Sequence, residues 1–317
     1  MADRLTTRIT ELLGIRYPIL LGGMAHVGNA RLAAAVSEAG GLGVLGSATM
    51  EPEQLAAAID EVRSLTDRPF GANISLVVKS SDEEIAVAIE RRVPAVVVSG
   101  GSARRHTQRL KDGGVRVLHV TPTAALAEKA QAAGVDAVVI EGAEAGGHLG
   151  HDELPLSALI PLTRQIVDVP VVAAGGVVCG RGLASALALG ADGVQIGTLF
   201  IACEESPAHQ RYKELLIEAG EQDPVVYGRL ENPARGLRTT AVQRLLELDR
   251  SGASPEEIDR VRGLGRVHLA AIGGDEHEGI FPAGVGAARI DAVRPAAEIV
   301  RQMIDEYLGV VKELPRD

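Results

Sequence analysis

Ala133-Gly134-Val135-Asp136-Ala137-Val138-Val139-Ile140 joins the end of a helix, a turn glycine and a continuous apolar run. Leu189-Gly190-Ala191-Asp192-Gly193-Val194-Gln195-Ile196 repeats the pattern, and Ala39-Gly40-Gly41-Leu42-Gly43-Val44-Leu45 echoes both. A short run without polar alternation fits a strand buried on both faces, as in a parallel sheet flanked by helices. Eight such runs follow along the chain: 18–21, 42–45, 69–74, 95–98, 115–120, 137–140, 169–173 and 193–196. The segments between them have helical spacing, with Leu55, Ile59 and Val62 on one face and Leu183 and Leu187 on another. Thr121-Pro122 is expected to cap and open one of these helices. Eight alternations of strand and helix predict an α/β fold, a (β/α)8 TIM barrel.

After Thr198 the pattern changes. Charged helix-like sequence begins at His209-Gln210-Arg211-Tyr212, and a last amphipathic helix over 295–308 carries Ile299, Met303 and Ile304 on one face. The expected division is a barrel from 1–204 plus 290–317, with 205–289 as a small helical insertion or lid.

Composition narrows the function classes. The chain has 317 residues, a formal net charge of -10, 37 glycines, no Trp and only 3 Phe and 4 Tyr. That balance lacks the basic footprint and stacking platforms of a nucleic-acid binder. No apolar run approaches the roughly 18 residues of a membrane span, and the amino terminus lacks the apolar stretch of a signal peptide. Cys179 and Cys203 do not make a disulfide framework. The expectation is a cytoplasmic protein with a small-molecule substrate, no nucleic-acid or membrane partner, and a homodimer left open.

Barrels of this type bind ligands at the carboxyl ends of their strands, with phosphate at the loops after strands seven and eight. Those places read Ala174-Gly175-Gly176 and Gln195-Ile196-Gly197-Thr198. Glycine lets backbone N–H groups approach phosphate oxygens, and Thr198 adds a hydroxyl. The connection after the sixth run is longer than the others and contains Glu141-Gly142-Ala143-Glu144-Ala145-Gly146-Gly147-His148-Leu149-Gly150-His151-Asp152. A long loop at the mouth is usually functional, and His148 is its candidate proton donor or acceptor near neutral pH. Gly22, Gly23 and Met24 end the first run and allow a flat ligand to lie on the backbone, while Asn73 brings an amide to the same rim. His26, His119 and Lys79 stand near that rim without an assigned role.

Other motifs carry less. His148, His151 and Asp152 lack a further ligand for a metal, so no metal is expected. Gly41 to Gly46 fits GxGxxG but lies within a strand, and no GxSxG elbow is present. Cys179 reads as a packed residue.

Taken together, Pro18-Ile19-Leu20-Leu21-Gly22-Gly23-Met24, Gly71-Ala72-Asn73, Glu141 to His148, Ala174-Gly175-Gly176 and Gln195-Ile196-Gly197-Thr198-Leu199-Phe200 resemble the nitronate monooxygenase family, or 2-nitropropane dioxygenases. Flavin-dependent enoyl-acyl-carrier-protein reductases belong to the same group. The resemblance runs in order from residue 14 to about 204 and is loose beyond, at Gly273-Gly274-Asp275 and Pro282-Ala283-Gly284. It implies an oxidoreductase with non-covalently bound FMN. Gly22, Gly23, Met24 and Asn73 would line the isoalloxazine, and Glu141, Gly146 and Gly147 would border it. Gly175, Gly176, Gln195, Ile196, Gly197 and Thr198 would hold the phosphate, with His148 as the active-site histidine. One branch oxidises a nitronate with O2, and the other takes electrons from NAD(P)H to reduce an enone or enoyl thioester. Gly23 and Glu141 look like the reductases, whereas His26 stands where they carry an aromatic. A non-catalytic barrel binding a phosphorylated ligand is the alternative from another class.

Overall fold

The computed structural model describes residues 4–229, 232–263 and 265–313. Residues 1–3, 230, 231, 264 and 314–317, which fall within the expected barrel and lid segments, lie outside the described residues.

Eight parallel strands form the barrel: β1 (Ile19–Leu21), β2 (Gly43–Gly46), β3 (Phe70–Ser75), β4 (Ala95–Ser99), β5 (Arg116–Thr121), β6 (Ala137–Glu141), β8 (Val171–Ala174) and β9 (Gly193–Ile196). β7 (Gly147–His148) stands apart, in the long mouth loop. The barrel order is β1-β9-β8-β6-β5-β4-β3-β2. It closes where Leu21 N donates to the Leu42 carbonyl and Leu42 N to that of Ile19, each at 2.9 Å. All eight runs expected from the sequence are strands. Their side chains are buried on both faces, as at Val96, Val97, Val138 and Val139, which removes any reason for polar alternation.

The helices follow from caps and apolar stripes. Asn29 accepts from Leu32 N at 2.9 Å and opens Ala30–Glu38. Leu55, Ile59 and Val62 are the buried residues of Pro52–Leu65. One boundary differs from expectation. Thr121 remains in β5, and Thr123 caps the next helix by accepting from Leu126 N at 3.2 Å. Proline disfavours the helical region for the residue before it, so Thr121 stays extended.

The last helix, Ala296–Glu313, buries Ile299, Val300, Met303 and Ile304. It packs on Gly180–Ala188 and Ala30–Glu38, and the Glu306 carboxylate accepts from Gly180 N at 2.7 Å. The amino terminus of Gly180–Ala188 is therefore already held by an anion from within the chain.

Among the described residues, four α-helices, Gln210–Glu218, Thr240–Ser251, Pro255–Arg262 and Arg266–Ala271, and a 3-10 turn, Val285–Arg289, lie between the barrel and the last helix. With them are two strands not read from the sequence, β10 (Pro224–Tyr227) and β11 (Ala234–Leu237). A small apolar core of Tyr227, Ala234, Ala241, Val242, Leu245, Ile258 and Ile280 holds this segment together, separate from the barrel core. No helix of the described residues is long and apolar enough to cross a membrane.

Candidate active site

The carboxyl ends of β1, β3, β6, β8 and β9 bring most of the expected site residues to one rim. Gly23, after β1, lies directly against Asn73: a Cβ there would sit 2.3 Å from the Asn73 Cβ and Cγ. Only a residue without a side chain permits that approach. The Asn73 amide is fixed, because its Nδ2 donates to the Val97 carbonyl at 2.9 Å and to Ser99 Oγ at 3.2 Å. Its oxygen is thereby left on the Gly23 side. Met24 reaches across the rim, with its sulfur facing Gly197.

The loops after β6, β8 and β9 converge next to this. Gly175 has φ +119 and packs on Ala145, and Gly176 packs on Glu144. Among the described residues, the backbone N–H groups of Gly175, Gly176, Gly197 and Thr198 have no acceptor within the protein. Free N–H groups clustered on adjacent loops are a ready anion cradle. Thr198 Oγ1 accepts from Gly284 N at 3.0 Å, so its own proton is still available to a ligand.

Two further polar groups lack partners. Gln195 Oε1 is buried without a hydrogen bond, although buried amides are normally satisfied. Glu141, at the end of β6, has no hydrogen-bond partner for its carboxyl among the described residues. It is half-buried, open to the mouth but ringed by protein, and desolvation pushes its pKa up to about 8. A flat ligand bearing hydrogen-bond donors and a phosphate fits this set: glycine-lined backbone, an unpartnered amide and carboxyl, and a cradle of N–H groups.

The raised Glu141 pKa makes a prediction about stability. An unfolded Glu ionises near its ordinary value of 4.5 while the folded one holds its proton to about 8. The native state therefore binds more protons in that window, and stability conferred by the neutral form is lost as pH rises through it. Glu141→Gln, which is neutral throughout, is expected to raise the apoprotein Tm relative to wild type, increasingly from pH 5 to pH 8. A Tm difference that does not change with pH would sink this assignment.

His148 stands on β7, which pairs antiparallel with β11: Ala234 faces His148 and Arg235 faces Gly147. The long mouth loop is thus the third strand of a small sheet ordered β10-β11-β7. His148 keeps solvent access, yet surrounding protein disfavours its charged form and Arg262 adds to the effect, so its pKa lies below the ordinary 6.5. Neutral imidazole dominates at neutral pH, with one N–H and one lone pair.

Sequence reasoning missed how closely the 205–289 segment serves this rim. Arg235 donates to the Ala143 carbonyl at 2.8 Å and so ties β11 to the mouth loop. Gly146 lies against the Ala283–Gly284 peptide, within 2.5 Å of where a Cβ would stand. The only sequence signal was the short Pro282-Ala283-Gly284 match. Glu144, in the long mouth loop, caps Leu156–Arg164, accepting from Leu156 N at 3.0 Å.

Of the residues without an assigned role, His26 adopts φ 63 and meets His268 edge-on, with ring centroids 4.9 Å apart. His119 is buried, its Nδ1 unpartnered, and Lys79 is exposed ahead of Ser81–Glu90. Among the described residues, no three His, Cys, Asp or Glu side chains gather as metal ligands. A groove lined by Thr66, Asp67, Lys111, Arg116 and Asp136 opens at the opposite, amino-terminal end of the barrel, away from all these groups.

A family model described as nitronate monooxygenase matches residues 6–306. The chain belongs to the nitronate monooxygenase family. Within the family's wider surroundings it is similar to FabK from Thermotoga maritima, with 42% identity, TM-score 0.94 and 98% of each chain covered. A nitroalkane oxidase from Streptomyces ansochromogenes is 30% identical, with TM-score 0.83 over 98% of this chain and all of that one. A Mycobacterium tuberculosis relative, (3aS,4S,5R,7aS)-5-hydroxy-7a-methyl-1-oxo-octahydro-1H-indene-4-carboxyl-CoA dehydrogenase, is 39% identical over 76% of this chain and 69% of its own length. This nitronate monooxygenase family member is an FMN-dependent oxidoreductase built on a TIM barrel.

Proposed function

We propose that the chain oxidises a nitronate with O2 through non-covalently bound FMN, with 205–289 acting as the lid over the site. The observation that carries this reading is the convergence of unpartnered groups at the mouth: Gln195 Oε1, the Glu141 carboxyl and the N–H groups of Gly175, Gly176, Gly197 and Thr198. Those N–H groups and the Thr198 hydroxyl would hold the phosphate, beside Ile196, which leads into the turn. Gly22, Gly23, Met24 and Asn73 would lie along the ring system, with Glu141, Gly146 and Gly147 at its border. FMN supplies the two-electron chemistry when bound.

The protein's own contribution is binding and proton handling. His148, neutral at working pH, offers its N–H to a nitronate oxygen; where the substrate arrives as the neutral nitroalkane, its lone pair first takes the proton from the carbon beside the nitro group and leaves the nitronate. The mouth loop pairs with β11 and packs on Gly284, which supports a fixed position for that imidazole at the mouth.

A second reading is reduction of an enone or enoyl thioester with electrons from NAD(P)H. The acyl-CoA named for the Mycobacterium relative favours it, together with Gly23 and Glu141. Anaerobic mixing separates the two. Bleaching of the flavin absorbance by a nitronate, with NADH and NADPH inert, is the result expected for the monooxygenase. Rapid bleaching by NAD(P)H selects the reductase. A colourless protein that cannot be reconstituted with FMN would sink both and leave a non-catalytic phosphate-binding barrel.

A further inference from the structure

Outside the barrel wall, beneath Asn73, lies a buried acid that the site description does not use. Glu84 and Ser47 are both fully buried. Glu84 is in the first turn of Ser81–Glu90, where Ser80 Oγ donates to its Oε1 at 2.7 Å. Its Oε2 is hydrogen-bonded to Ser47 Oγ. Ser47, which follows β2, also sets its Oγ 2.7 Å and its N 3.3 Å from the Asn73 carbonyl oxygen.

Counting protons on this chain is decisive. A carbonyl can only accept, and Ser47 has one hydroxyl proton. An ionised Glu84 would claim that proton and leave Ser47 Oγ and the Asn73 oxygen facing each other at 2.7 Å with no proton between them. A protonated Glu84 satisfies every group: it donates from Oε2 to Ser47, and Ser47 donates to Asn73. We propose that Glu84 is a positioning residue, protonated at neutral pH, whose proton directs Ser47 onto the Asn73 carbonyl and so fixes the end of β3 at the flavin rim.

The surroundings support this. Desolvation raises the Glu84 pKa, and the charged groups acting on it, Glu51 after β2 and Glu83 on its own helix, raise it further, against the bonds from Ser47 and Ser80. The helix amino terminus favours the ionised form by a fraction of what full burial costs. The inference rests on the reading that Asn73 borders FMN.

Infrared difference spectra of the apoprotein, wild type minus Glu84→Gln, test the proton directly. The expected result at neutral pH is a carboxylic-acid carbonyl band that shifts in D2O and is displaced by Ser47→Ala; its absence overturns the proposal. FMN affinity against pH then tests the positioning, in a Glu141→Gln background so that the second acid does not contribute. Affinity should weaken about five- to tenfold as Glu84 ionises, the worth of one hydrogen bond. Glu84→Gln, whose amide still donates to Ser47, should hold affinity constant with pH. A Glu84→Gln curve that follows the parent overturns the proposal. Failure of every form to bind FMN removes the Asn73 reading and with it the positioning role, while the infrared band still decides the proton.

Discussion

Replacing His148 with alanine is expected to leave FMN bound and lower turnover by about a hundred- to ten-thousandfold, the range for loss of one positioned acid–base group. The substitution separates chemistry from architecture because β7 is held by its backbone. The pairing of His148 with Ala234 and of Gly147 with Arg235 uses main-chain groups, and Leu149 N donates to the Pro233 carbonyl at 2.8 Å just beyond. An exposed imidazole contributes little to stability, so Tm should hardly move. The pH profile adds a sign. With the His148 pKa depressed by its surroundings and by Arg262, activity that needs neutral imidazole should persist below pH 6.5 and fall only as pH drops through the lowered value. Removing the positive charge with Arg262→Ala should move that limb toward higher pH. Unchanged turnover in His148→Ala would end its catalytic assignment.

Gly175→Ala is expected to weaken FMN binding by roughly five- to a hundredfold, since a non-glycine residue forced into a sparsely populated backbone region costs about 1–3 kcal/mol. Gly175 sits at φ +119, and its added Cβ would stand 3.0 Å from Ala145 N and 3.2 Å from the Gly142 carbonyl oxygen. Relief requires either the turn to flip, which re-aims its N–H groups, or the mouth loop to retreat. Both disturb the same cradle. Gly309→Ala is the control: it lies in Ala296–Glu313 with nothing within 4 Å of its would-be Cβ, and alanine there should stabilise by up to about 1 kcal/mol. Equilibrium dialysis against FMN checks the pair. Equal affinities for the two variants would dismiss the cradle.

The site was partly legible because its glycines occur at the ends of apolar runs. Gly22 and Gly23 after β1, Gly175 and Gly176 after β8, and Gly197 after β9 mark themselves as close-packed turns at the carboxyl-terminal rim. Glu144 shows the limit of that logic. It belongs to the long mouth loop expected to be functional, yet a helix whose first residue follows Pro155 lacks a capping side chain of its own, and Glu144 reaches across to supply it. Thr121 shows another. Its Thr-Pro pair resembles a helix start, but the capping oxygen is two residues later.

The 205–289 segment was harder to read. Pro224–Tyr227 and Ala234–Leu237 are short, and one carries an arginine at a partly buried position. Their strand character comes from pairing with each other and with Gly147–His148, a contact between residues far apart in the chain.

By itself the sequence determined the barrel, its order of strands and the rim on which its glycines gather, because buried strands and helix stripes write their periodicity locally. Only the tertiary structure decided which polar groups stay unpartnered at that rim, that the mouth loop becomes a strand paired with β11, and that Glu84 connects to Asn73 through Ser47. Hydrogen-bond satisfaction and desolvation depend on every neighbour at once, and the neighbours that matter here come from segments distant in sequence.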